Sequence, residues 1–181
     1  MRKICLLFCL FATSLSFSQD EPGSEIGADG YFSASSFGGT FGIGAKYGYR
    51  INEAFIFGPS VRVQRTWQTY YDQRNGYTIY GGGVWAHARI ANYLFAGVEF
   101  EMLNSPLNYT SIYTGRKWVP TFFLGGGFSR QFNNAIRINA GIFYDVVNNL
   151  DSPFRQGYFM HKSNGALIPV IYRIGFFFPL S

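Results

Sequence analysis

Residues 136–147, IRINAGIFYDVV, hold a strict two-residue period from end to end. Ile136, Ile138, Ala140, Ile142, Tyr144 and Val146 fall on one side of an extended chain. Arg137, Asn139, Gly141, Phe143 and Asp145 fall on the other. Alternation of this kind belongs to a β-strand, since a helix would scatter the same residues over every face. Both charges lie on one side, so the strand separates two unlike environments.

The pattern recurs along most of the chain. Residues 37–49 set Phe37, Phe41, Ile43, Ala45, Tyr47 and Tyr49 against a face of glycines with Thr40 and Lys46. Residues 54–69, 77–90, 93–103, 118–131 and 170–178 alternate in the same way. Residues 25–35 do so more faintly, through Ile26, Ala28, Phe32 and Ala34. Short links at 50–53, 91–92 and 133–134 take turns with longer connections at 70–76, 104–117 and 148–165. Eight strands joined by alternating short and long links form an up-and-down meander.

The first eighteen residues stand outside this pattern. Arg2 and Lys3 precede the apolar run ICLLFCLFA, and Ser16-Phe17-Ser18 offers small residues before Gln19, which reads as a cleaved secretory signal. The run is too short to cross a bilayer as a helix. Residues 19–181 are then one exported domain. The formal charge of +5 loses Arg2 and Lys3 with the leader, and no Lys/Arg cluster points to nucleic acid. Cys5 and Cys9 both lie in the leader, so disulfides, thiol chemistry and cysteine-held metals are not expected in the mature chain.

Alternation does not by itself say which face is inside, and a soluble barrel carrying an apolar ligand would show the same period. Side-chain size decides. The apolar faces carry Phe, Tyr, Ile and Val, whereas the opposite faces are rich in glycine with a few charges. The interior of an eight-stranded barrel has room for little more than side chains, so small residues suit it. The expected fold is an all-β, eight-stranded antiparallel up-and-down transmembrane β-barrel of the outer-membrane type. Its apolar face points outward, aromatic belts sit at both strand ends, and the short turns and both termini are periplasmic. At ~10 residues per spanning strand the length suffices. Lys46, Arg62, Arg89, Arg137 and Arg173 are expected to meet Glu99, Glu101 and Asp145 in a lumen charge network, because buried charges need partners.

The segments WVPTFFLGGGFSRQF and IRINAGIFYDV, the closing VIYRIGFFF and the leader ending SFSQ resemble the small outer-membrane β-barrel proteins of the Bacteroidota. The likeness covers essentially the whole mature chain. It implies an outer-membrane location and insertion by the barrel-assembly machinery, and it implies no activity or cofactor. Phe178 matches the terminal aromatic residue of that class, although Pro179, Leu180 and Ser181 follow it.

Few motifs carry chemistry. Gly81-Gly82-Gly83 and Gly125-Gly126-Gly127 lie inside strand patterns and lack the Lys and Ser/Thr of a phosphate loop. Glu99 and Glu101 share a strand face, with His87 or Arg89 expected on the adjacent strand. A carboxylate pair can perform acid–base work, but ion-pair networks look the same in a sequence. His161-Lys162-Ser163-Asn164 resembles the His-x-Ser-Asn motif of outer-membrane lipid A deacylases. That resemblance implies His161 as base, Ser163 as nucleophile and Asn164 near the oxyanion site, with the i, i+2 spacing placing His161 and Ser163 on one strand face. The final strand lacks the glutamate that orients the histidine in that family.

Taken together, these residues describe a monomeric outer-membrane barrel with a filled lumen, structural or acting through aromatic and arginine-rich outer loops. Outer-membrane lipid and lipopolysaccharide are its surroundings, and no metal, cofactor or nucleic acid is called for. The alternatives are a lipid A-modifying hydrolase and a soluble carrier of an apolar ligand.

Overall fold

A computed structural model describes residues 23–35, 38–70, 73–90, 93–107, 115–132 and 135–180, with the side chains of 69, 70, 73 and 74 excepted. The leader reading for residues 1–18 lies outside the described residues. Strands β1 (Gly23–Ser35), β2 (Gly38–Arg50), β3 (Phe55–Tyr70), β4 (Gln73–Ile90), β5 (Leu94–Ser105), β6 (Lys117–Phe132) and β7 (Ile136–Asp145) run antiparallel in chain order. The last strand, β10 (Val170–Leu180), returns between β7 and β1 and closes the barrel. The minor strands β8 (Met160–His161) and β9 (Leu167–Ile168) pair only with each other.

Closure depends on β1, the strand with the faintest alternation. It pairs with β2 over its full length, from Gly23 opposite Arg50 to Ser35 opposite Gly38, and with β10 from Ser24 opposite Leu180 to Gly30 opposite Ile174. Closure pairs each wall strand on both sides over the body of the barrel, while loop-end stretches such as Tyr31–Ser35 of β1 and Gln73–Ile79 of β4 have a single partner strand among the described residues. Pairing on both sides is the condition for a sheet to sit in an apolar medium.

Every wall strand buries alternate residues. In β2, Thr40, Lys46 and the glycines between them face inward, while Phe41, Ile43, Tyr47 and Tyr49 are exposed. The outward face is apolar all round the barrel, with Val61 at 62 %, Val84 at 59 %, Ile142 at 56 % and Phe128 at 74 % exposure. Rings pair near the two ends of the barrel. Tyr49 meets Phe57 edge-on at the turn end, and Tyr80 meets Trp118 edge-on at the loop end.

Two connections differ from the sequence expectation. Tyr70 and residues 73–76 belong to strands rather than to a loop, because the β3–β4 ladder continues through Trp67 opposite Gly76 to Tyr70 opposite Gln73, and residues 71–72 lie outside the described residues. The connection between β7 and β10 is largely ordered. A single 3₁₀ turn, Pro153–Gly157, and the β8–β9 hairpin fill it, and Pro153, Phe154 and Tyr158 are buried in the barrel's mouth. Aromatic side chains in a long polar connection have no period to betray that they turn inward.

Candidate functional site

The interior of the barrel is a stack of three layers. In the middle, six charged side chains from five strands meet: Asp29, Lys46, Arg62, Glu99, Glu101 and Arg173, each no more than 4 % exposed. Lys46 Nζ donates to Glu99 Oε1 at 2.6 Å and lies 2.7 Å from Asp29 Oδ2. Arg62 donates through Nε to Glu101 Oε2 and through Nη2 to Oε1, both at 2.8 Å, and its Nη2 lies 3.0 Å from Asp29 Oδ1. Arg173 Nη1 bridges Glu99 and Glu101. Three carboxylates thus face three cations. His87 joins them with Nε2 3.1 Å from Glu99 Oε1. Desolvating ions is costly, and sharing every carboxylate between two cations is the arrangement that offsets the cost.

Glycine makes this layer possible. A Cβ on Gly44 would stand 2.6 Å from Asp29 Oδ1 and 3.1 Å from Arg62 Nη2, inside the cluster. In the first glycine triplet a Cβ on Gly83 would stand 1.8 Å from the Phe100 carbonyl oxygen, so the close approach of β4 to β5 permits no side chain there. Void space in the ion layer amounts to about 10 Å³ among Asp29, Lys46, His87, Glu99, Asn139 and Arg173, room for about one water.

The loop-end layer seals the ions from above. Phe154 is fully buried and meets Phe123 edge-on at 4.9 Å between centroids. The Arg173 guanidinium carbon lies 4.6 Å from the Phe123 centroid and 5.3 Å from that of Phe154, a geometry in which ring faces attract the cation. Gln64 Nε2 donates to the Pro153 carbonyl at 2.9 Å and to the hydroxyls of Thr40 and Thr66, tying the connection to β2 and β3. Asp145, expected among the lumen charges, belongs to this anchor instead. Its Oδ2 accepts from the Tyr158 hydroxyl at 2.8 Å, and its Oδ1 accepts from the backbone N–H of Val147 and Asn148. The strand ends at Asp145, so its carboxylate caps the departing chain. Burial, reinforced by the Asp145 carboxylate, pushes the Tyr158 phenol above its ordinary range.

At the turn end, Arg89 grips Glu25 with two bonds, at 2.8 and 2.5 Å. Arg137 donates to Ser129 Oγ at 3.2 Å and to Gln131 Oε1. Of the eight expected network residues, five (Lys46, Arg62, Glu99, Glu101 and Arg173) share the central layer, Arg89 and Arg137 lie at the turn end, and Asp145 lies at the loop end. Glu25 and Asp29 were not anticipated. They occupy the inward parity of β1, and extending the faint alternation of Ile26 and Ala28 to the opposite face would have found them.

The His161–Asn164 segment is built differently. His161 ends β8, but Ser163 is on the following turn, in which Gly165 N donates to Lys162 O and Lys162 N to Ala166 O. The expected shared strand face for His161 and Ser163 is therefore corrected: Ser163 already lies within the reversal closed by Lys162 and Ala166. Asn164 Oδ1 accepts from Ala166 N within the same turn. All three residues are exposed, and among the described residues no side chain hydrogen-bonds His161 or Ser163. The carrier alternative is corrected as well, since the interior is packed with ion pairs where an apolar ligand would need an apolar cavity.

No family model matches the chain, and no curated protein does. Among solved structures the chain is similar to the outer membrane protein Ail of Yersinia pestis, determined in a phospholipid bilayer nanodisc. Identity is 12 % and the TM-score 0.43, over 87 % of this chain and 99 % of that one. The barrel described above rests on its own strand register.

Proposed function

We propose that the protein is a small integral outer-membrane β-barrel, closed along its axis, that serves as a structural element or acts through its loop end. One observation carries this reading: the wall turns a predominantly apolar face outward, with Arg65 and Arg130 its exposed charges, and gathers most of its charges inward. Soluble monomers rarely expose apolar patches beyond a few hundred Å², whereas this inversion is what a bilayer demands of a barrel. Outer-membrane lipid, lipopolysaccharide included, is the partner of that face, the barrel-assembly machinery inserts the chain, and both termini rest in the periplasm. A single copy suffices, because the body of the barrel closes on itself. The salt-bridged middle layer and the Phe154 cover support a sealed lumen rather than a diffusion pore.

The test is fractionation of cells producing the full chain with its leader. The protein is expected in carbonate-washed outer membranes and, without boiling, to run at an altered apparent mass in detergent gels. Recovery in the soluble periplasmic fraction would overturn the proposal. Planar-bilayer recordings are expected to show no steady conductance.

A further inference from the structure

The turn-end layer differs from the middle one in its charge balance. Arg50, Arg89 and Arg137 reach the mouth from the inward faces of β2, β4 and β7. Glu25 is the one carboxylate buried with them among the described residues, and Glu53 lies exposed on the turn that follows β2. Glu25 sits in the fields of all three guanidiniums. Arg137 is repelled by Arg89 and Arg50 and attracted by Glu25 and Glu53. The guanidinium of Arg50 lies over Gly23, where a Cβ would stand 2.6 Å from its Nη2.

Donors are left over in both layers, Arg62 Nη1 and Arg173 Nε and Nη2 in the middle among them, but at the turn end they stand beside an excess of positive charge. Among the described residues, the Nε–H groups of Arg50, Arg89 and Arg137 are all buried without a hydrogen-bond partner. Below Arg137, on the same face of β7, the Asn139 side chain is 3 % exposed, and neither its Nδ2 nor its Oδ1 has a partner. Buried polar groups are normally satisfied, so a cluster of orphaned donors beside surplus positive charge marks a missing acceptor. An oxyanion is the group with enough lone pairs to accept from several guanidinium N–H donors at once.

We propose that the turn-end mouth of the barrel is a binding site for a phosphate-type oxyanion, held by Arg50, Arg89 and Arg137 with Asn139 as its floor. Arg89 and Arg137 each keep their Nη contacts and offer Nε. Arg50 is half-buried at the rim, makes no hydrogen bond to any described residue, and is the first group an entering anion meets. The same chemistry is presented by free phosphate and by the headgroup of an anionic phospholipid.

The test uses the full mature barrel folded in an uncharged detergent. Its unfolding midpoint is followed as inorganic phosphate replaces chloride at constant ionic strength, and in a second arm as short-chain phosphatidic acid is added. A saturable rise with phosphate supports the site and assigns the free ion. A saturable rise with phosphatidic acid alone supports it and assigns a lipid headgroup. Arg50→Gln is expected to weaken the response at least tenfold in apparent affinity, and Asn139→Leu supplies the same comparison should that variant not fold. The absence of a saturable rise in both arms overturns the proposal, as does an unchanged response in the folded variant.

Discussion

The middle and turn-end layers of the lumen are built from the same residue types and solve different problems. In the middle, Asp29, Glu99 and Glu101 are each shared between cations, and charge closes to balance within a few ångströms. At the turn end three arginines meet one buried carboxylate, and orphaned donors remain. The first arrangement is balanced in charge and behaves as a polar core, although Arg62 Nη1 and Arg173 Nε and Nη2 also lack hydrogen-bond partners among the described residues. The second is incomplete on its own terms. Burial alone therefore does not identify a structural charge; the balance of partners around it does.

Removing one carboxylate from each layer sharpens this contrast most. Glu99→Ala strands Lys46 and Arg173 in a closed interior and is expected to cost about 3–5 kcal/mol of unfolding free energy, the usual penalty for breaking a buried pair. Glu25→Ala is expected to cost less, because the surplus charge stands at an open mouth, and to strengthen the phosphate response. Urea unfolding in vesicles measures both, and equal losses would erase the distinction between the layers.

Gly44→Val places a side chain against Asp29 and Arg62. Overpacking of this kind costs roughly 1–3 kcal/mol, read in the same unfolding assay.

Tyr158→Phe leaves Asp145 Oδ2 without its donor while Oδ1 keeps its backbone partners, for a loss of about 1 kcal/mol. Faster amide exchange across residues 148–165 should accompany it. The pH dependence has a definite sign. A phenol whose titration is raised by folding contributes stability that is complete below its ordinary value, about 10, and is lost as pH climbs above it. The wild type should therefore weaken above about pH 10 more than the Phe variant, and the gap between them should close.

His161→Ala and Ser163→Ala sit at the small end. Both residues are exposed on the hairpin turn, and neither change should move the unfolding midpoint.

The barrel itself was legible because a wall with an apolar outer face and a narrow polar lumen imposes a period of two on every strand. Seven strands announced themselves through Phe, Tyr, Ile and Val on one face. β1 was faint because Gly23, Ser24, Gly27 and Gly30 dilute its pattern, and its weakness hid Glu25 and Asp29, which complete two of the three layers. The inward turn of Phe154 and Tyr158 left no trace, since a non-repeating connection is positioned by what it packs against. Asp145 stands apart from the central ions for a related reason: parity places a residue on the inner face but not at a depth. The balance of the central ions was foreseeable from the charges present, whereas the turn-end excess needed the register that brings Arg50, Arg89 and Arg137 around Glu25.

The claim beneath all of this is that the wall's outer face meets acyl chains. Both cysteines, Cys5 and Cys9, lie in residues 1–18, so single cysteines placed in a barrel produced from residue 19 onward can be spin-labelled selectively. Val61→Cys, Val98→Cys and Ile142→Cys lie on the outer face of β3, β5 and β7, and Ser163→Cys lies on the loop-end hairpin. In reconstituted vesicles, labels at 61, 98 and 142 are expected to collide with oxygen far more than with a water-soluble nickel complex, and the label at 163 to do the reverse. Free access of the nickel complex to all three wall positions would contradict the account.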